Sequence, residues 1–146
     1  RLPGTGMAVI TDVTDLMDIH PRNKKEVGLR LALLARAKTY GETGLVCSGP
    51  LYKSMAVEDG KIRISFDSVG SGLMMGDGPV LKWFEIAGAD HIFYKAAAEI
   101  DGSTVVIRSP RVASPRAVRF GWHQMAVPNL FNKEGLPAAP FRTDRW

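Results

Sequence analysis

Acids and a single histidine crowd one short stretch, Asp12-Val13-Thr14-Asp15-Leu16-Met17-Asp18-Ile19-His20-Pro21. An imidazole is the side chain best suited to move a proton near neutral pH. A carboxylate on one ring nitrogen would fix its tautomer and stabilise the imidazolium while the other nitrogen takes a proton from a nucleophile. Pro21 restricts the backbone of His20 to extended conformations and so would hold the ring at a set angle. In an extended segment Asp18, two residues before His20, lies on the same side as the imidazole. Asp15, five before it, would reach the ring from a bend. The two stand as alternatives for the orienting acid, and a histidine held by a backbone carbonyl is a third arrangement. The same acids could instead cap a helix, but they lack the spacing of a calcium loop.

The elements around this stretch are those that position reactive side chains in α/β folds. Residues 7–11, Met-Ala-Val-Ile-Thr, form a mostly apolar run without alternation, as expected of a parallel strand covered on both faces. After Pro21, Asn23 is a plausible helix cap. Residues 24–40 then place Val27, Leu31, Leu34 and Ala35 on one face at the helical period, and Gly41 sits where a left-handed residue would stop the helix. A loop between such a strand and helix is where reactive groups gather. Lys24 and Lys25 oppose the helix dipole and read as a solvated face unless they meet a substrate carboxylate.

Beyond Gly44 the period becomes two. Segments 51–57, 61–66, 81–86, 92–98, 104–107 and 117–122 are separated by turn chemistry such as Glu58-Asp59-Gly60, Gly76-Asp77-Gly78-Pro79 and Asp101-Gly102. They predict an antiparallel β-sandwich or jelly-roll-like domain. Residues 128–146, with Pro128, Pro137 and Pro140, read as an extended strap. The fold class is therefore α/β plus all-β, with residues 1–44 as the strand-loop-helix piece and 45–146 as the β domain.

Composition narrows the functions. The chain has 146 residues, 45% hydrophobic and 23% charged, one cysteine and a net charge of +4. One cysteine, Cys47, supports neither an internal disulfide nor a zinc ribbon. The basic residues are scattered, which argues against a nucleic-acid partner, and no apolar run approaches the ~18 residues that would span a bilayer.

With the elements in place, Asp18-Ile19-His20-Pro21-Arg22-Asn23-Lys24, Val27-Gly28, Arg30-Leu31-Ala32 and Tyr40-Gly41 resemble the acid and histidine block of the sialate O-acetylesterase family, a branch of the SGNH (GDSL-like) hydrolases. The similarity continues through Gly49-Pro50-Leu51-Tyr52, Gly70-Ser71-Gly72-Leu73, Phe84-Glu85-Ile86-Ala87-Gly88-Ala89-Asp90, Ala117-Val118-Arg119-Phe120 with Trp122, Asn129-Leu130-Phe131-Asn132 and Pro140-Phe141-Arg142-Thr143. It resembles the family's carboxyl-terminal portion.

The resemblance implies an esterase that removes acetyl groups from sugar hydroxyls, typically those of sialic acid, with a serine nucleophile, His20 as base and an aspartate behind it. It implies no metal or organic cofactor, and a periplasmic or secreted location. The family's serine and oxyanion blocks lie upstream; no Gly-Asp-Ser-Leu-like, Gly-Gln-Ser-like or Gly-x-Ser-x-Gly sequence occurs here, and Ser48, Ser68 and Ser71 stand in other contexts. The expected partners are thus an acetylated sugar and an upstream part of the same protein carrying the serine, and the isolated chain is expected to be inactive. The usual spacing puts the aspartate three residues before the histidine, where this chain has Met17. That departure leaves Asp18 and Asp15 as the candidates.

A second class of function rests on aromatic residues. Trp83, Phe84, Tyr94, Phe120 and Trp122 could build a sugar-stacking platform on a non-catalytic carbohydrate-binding domain, or be core of a domain that only braces an enzyme. Alternation sets Trp83 and Phe84 on opposite faces. His91 and His123 are expected to be structural or exposed.

Overall fold

Alternation dictates the larger part of the molecule. Ile62, Ile64 and Phe66 turn inward while Lys61, Arg63 and Ser65 turn out, so one face of this segment can be buried only against a second apolar layer. The computed structural model, which describes residues 4–146, supplies that layer. One four-stranded antiparallel sheet has the order β1-β2-β7-β6, from β1 (Leu51–Glu58), β2 (Lys61–Asp67), β7 (Thr104–Arg108) and β6 (Ala97–Asp101). A second has the order β10-β8-β4-β5, from β10 (Phe141–Arg142), β8 (Ala117–Phe120), β4 (Phe84–Ala87) and β5 (Phe93–Lys95). A short ribbon pairs β3 (Leu73–Met75) with β9 (Leu130–Asn132).

The two sheets share one apolar core. Ile62, Ile64, Val105 and Ile107 from the first meet Phe84, Ile86, Val118, Phe120 and Phe141 from the second. Full burial of each such side chain is worth about 1.5–3 kcal/mol. Aromatic rings bind the second sheet internally and to the first: Phe84 lies 4.5 Å from Phe120, and Phe141 lies 5.7 Å from Phe120 and 5.0 Å from Tyr52. A bulge between Tyr52 and Ser54 disturbs the β1–β2 register.

Two buried asparagines tie the connections. Asn129 accepts from the Lys82 N–H at 2.8 Å and donates to the carbonyls of Asp77 and Val80 at 2.7 and 2.9 Å. Asn132 accepts from the Leu136 N–H at 2.9 Å and donates to the Ser48 carbonyl at 3.1 Å. Both side chains, themselves buried, bond backbone groups that lie outside the strand ladders.

The single described helix, α1 (Lys24–Lys38), starts as the sequence indicates: the Asn23 side chain accepts from the Glu26 N–H at 3.2 Å. It ends two residues before Tyr40, with the Thr39 N–H bonded to the Ala35 carbonyl and Gly41 left-handed at φ +71°. Among the described residues no helix is long and apolar enough to cross a membrane.

Several expectations need correcting. Residues 7–10 are extended but pair with no strand among the described residues, because a parallel strand needs neighbours in a sheet and this chain's sheets lie elsewhere. On α1 it is Arg30 that is buried beside Leu34, while Leu31 is exposed. Segment 92–98 is two strands in two sheets, divided at Ala96, whose N–H turns to the Phe84 carbonyl at 3.0 Å. Segment 81–86 is a strand only from Phe84, since Trp83 is left-handed at φ +65°. Strand β8 stops at Phe120 because Gly121 takes φ +60°. The strap at 128–146 contributes the short β9 and β10.

Candidate functional site

The loop from residue 10 to residue 23 is built by its own carboxylates. A turn closes from the Val13 N–H to the Ile10 carbonyl at 3.1 Å. Asp15 Oδ1 accepts from the Met17 N–H at 3.0 Å, and Asp18 Oδ1 accepts from the His20 N–H at 2.9 Å. Each aspartate thus fixes the backbone two residues ahead, the local bond that makes Asp a turn former. The backbones of Asp15 and Asp18 also bridge one another. Arg22 Nε lies 3.7 Å from Asp15 Oδ2, an exposed contact.

A buried ion pair holds this loop to the helix. Arg30 Nη1 and Nη2 donate to the two carboxylate oxygens of Asp12, each at 2.6 Å, and Nη1 also donates to the Val9 carbonyl at 2.8 Å. The fork geometry matches two parallel N–H···O bonds, the strongest form of such a pair. The bonds to Asp12 raise the guanidinium's proton affinity further against the opposing effect of burial. Behind it Gly6 lies close against the Leu34 side chain. Residues 7–9 and Arg30 then meet Cys47, Ser48, Gly49, Leu136 and Pro137 around a void of about 10 Å³, roughly the space of one water.

His20 stands at the exposed end of this anchored loop, just before the half-buried Pro21. The structure brings Asp18 to its backbone N–H and Asp15 to the same turn. Among the described residues neither carboxylate, nor any serine hydroxyl, is hydrogen-bonded to the His20 ring. Ser48 Oγ bonds to the Gly49 carbonyl and Ser71 Oγ to Glu134. No group of three or more His, Cys, Asp or Glu side chains among the described residues could hold a metal ion. The arrangement leaves the imidazole exposed at the tip of the loop.

Sequence reasoning missed the role of Arg30, although a signal was there. It sits three residues after Val27 and four before Leu34, so a guanidinium occupies an inward helix position and demands a buried acid. Asp12 is that acid. The aromatic residues divide between core and surface: Phe84 and Phe120 are buried, whereas Trp83 and Trp122, both outside the strands, are exposed. His91 and His123 are both exposed; His91 stacks on Trp146 at 4.0 Å and His123 on Trp83 at 5.8 Å.

The chain matches no protein-family model. It is 40% identical over 159 aligned residues to the sialate O-acetylesterase of Mus musculus, covering 97% of this chain and 28% of that protein. The sialate O-acetylesterase of Homo sapiens is 47% identical over 55 residues, 35% of this chain and 10% of that protein. Among solved structures, the crystal structure of a carbohydrate acetylesterase from Xanthomonas citri superposes with a TM-score of 0.90 at 49% identity, covering 95% of this chain and 32% of that one. The chain spans less than a third of the length of the mouse protein and of the Xanthomonas enzyme. Similar in sequence and in fold across almost all its residues, the chain matches a carboxyl-terminal portion of the sialate O-acetylesterase family.

Proposed function

We propose that these residues form part of a carbohydrate O-acetylesterase acting on acetylated sialic acid, in which His20 is the general base. The observation that carries this reading is an exposed imidazole, on a loop pinned by the Asp12–Arg30 pair, in a chain alike over 97% of its length to a sialate O-acetylesterase. A serine Oγ supplied by an upstream segment of the same protein attacks the acetyl carbonyl and gives its proton to His20. The imidazolium returns that proton to the sugar oxygen as the ester bond breaks, leaving an acetyl-enzyme. Water, deprotonated in turn by His20, releases acetate. Asp18 or Asp15 orients the imidazole by a carboxylate hydrogen bond once the upstream segment packs against the loop.

On this reading residues 1–44 complete an SGNH-type α/β domain, residues 7–10 joining its sheet, and residues 45–146 are a β-sandwich that braces it. The side chains of Met17 and Ile19, 92% and 91% exposed, and of Tyr40 would pack on that domain. A periplasmic or secreted location suits such a substrate.

The test is hydrolysis of an O-acetylated sialic acid by the whole protein, with fluorophosphonate labelling of its serine. His20→Ala is expected to lower kcat by on the order of 10⁶ and to suppress labelling. Of Asp15→Asn and Asp18→Asn, the one with the larger loss identifies the orienting acid. Unchanged turnover in His20→Ala overturns the assignment.

A further inference from the structure

Trp83 combines three features that packing alone does not require. Its backbone is left-handed at φ +65°, a region in which a bulky L residue is strained by roughly 1–3 kcal/mol. Its side chain is nevertheless 39% exposed, so a broad part of the ring stays open to solvent. The conformation is imposed from the neighbouring strand, where the Gly121 N–H donates to the Trp83 carbonyl at 2.9 Å. The ring is also held from its own side: His123 stacks on it at 5.8 Å and 19° between planes, and the His123 Nδ1 accepts from the Met125 N–H at 3.1 Å.

The indole lines an open groove of about 410 Å³ with Val80, Lys82, Glu85, Lys95 and Ala96. The charges on its rim differ in availability. Lys82 Nζ is engaged by Asp77 at 2.6 Å. Glu85 stands in register between Arg119 and Lys95, and Arg119 is itself engaged by Asp144 at 2.9 Å. Lys95, exposed, makes no ion pair among the described residues and lines the same groove as the indole. A flat apolar face in a groove that also carries an exposed ammonium complements a sugar ring, whose C–H face stacks on an aromatic, when that sugar also carries a carboxylate.

We propose that the Trp83 groove is a saccharide-binding site for a carboxylated sugar, with the indole as stacking surface and Lys95 as carboxylate partner. The inference takes its choice of probe from the acetylesterase reading, but its readout involves no hydrolysis, so either can fail without the other. The experiment is titration of the chain with sialyllactose, and separately with lactose, following the three indole N–H signals by NMR.

The Trp83 signal is expected to shift with sialyllactose at millimolar concentration and at least fivefold less with lactose. Lys95→Gln should reduce that difference to less than twofold. Trp83→Gly removes the ring while relieving the left-handed strain, so it should keep the fold, reported by an unchanged β-sheet amide spectrum, and abolish saccharide-dependent shifts of Lys95 and Glu85. No Trp83 shift up to 20-fold excess over ~1 mM, or equal response to both sugars unchanged by Lys95→Gln, overturns the proposal. If Trp83→Gly unfolds the chain, Trp83→Asn, which tolerates the same backbone region, carries the same test.

Discussion

The helical segment and the β-sandwich are stabilised in opposite ways. Sixteen buried side chains from both sheets and their connections form one apolar cluster. Among the described residues before residue 45 the buried side chains are Arg30 and Leu34, and Met7, Leu16, Met17, Ile19, Leu29, Leu31 and Tyr40 all remain exposed. One region is a core with loops attached; the other is a loop and a helix held to each other by an ion pair, meeting the sandwich around residues 47–49 and 136–137. The candidate catalytic side chain lies in the second. On the proposed reading, a base that meets a nucleophile from another part of the protein is carried where the chain leaves its apolar surface uncommitted.

Substitutions in each region should separate these two kinds of stability. The largest effect is expected from Phe120→Ala, which empties a fully buried position touching Phe84 and Phe141. It should cost about 3–5 kcal/mol in urea denaturation and melt both sheets together. Arg30→Met should cost somewhat less, about 3 kcal/mol, because it strands the Asp12 carboxylate. Its signature is local: amide hydrogen exchange should accelerate through residues 9–13 and 20–30 while β2 and β7 keep their protection. Global unfolding by Arg30→Met would mean that the two regions are one cooperative unit.

Acid provides an intermediate test within the sandwich. Asp144, its side chain wholly buried, accepts from Arg119 at 3.0 and 2.9 Å and pairs with Arg142 at 2.6 Å. The Arg119 hydrogen bonds hold its carboxyl below the usual carboxylate range. Since the folded state binds this proton more weakly than the unfolded state, the stabilisation is present above the unfolded value of about 4 and is lost as pH falls through the depressed folded value. Asp144→Asn should therefore lower stability by about 1.5–3 kcal/mol at neutral pH and flatten the decline below pH ~4. The smallest effect is expected from His20→Ala: because the ring is exposed and makes no hydrogen bond among the described residues, urea stability should change by less than about 0.5 kcal/mol.

The sequence made the long strands legible because their alternation is a direct record of burial: Ile62, Ile64 and Phe66 could face only one way. Strands of two or three residues, such as β3, β9 and β10, are too short to show a period and are set by partners distant in sequence. Trp83 and Ala96 break their segments through backbone turns that composition does not announce. At the site, the loop, the cap at Asn23 and the exposed His20 follow from local chemistry. Arg30 was harder to read because its buried place depends on Asp12, on a different element.

Gly49 is packed so closely beneath Pro137 that an added Cβ would lie 2.0 Å from that residue's carbonyl oxygen. Beside it, the Ala139 N–H bonds to the Pro50 carbonyl at 3.0 Å, and Asn132 reaches Ser48 across 84 positions of sequence. The ledge that meets residues 7–9 and Arg30 is therefore finished by residues synthesised long after them. During translation the helical segment must wait for the strand-and-strap segment to emerge before it has a surface to rest on. That ledge is the last part of its surroundings within this chain to be completed.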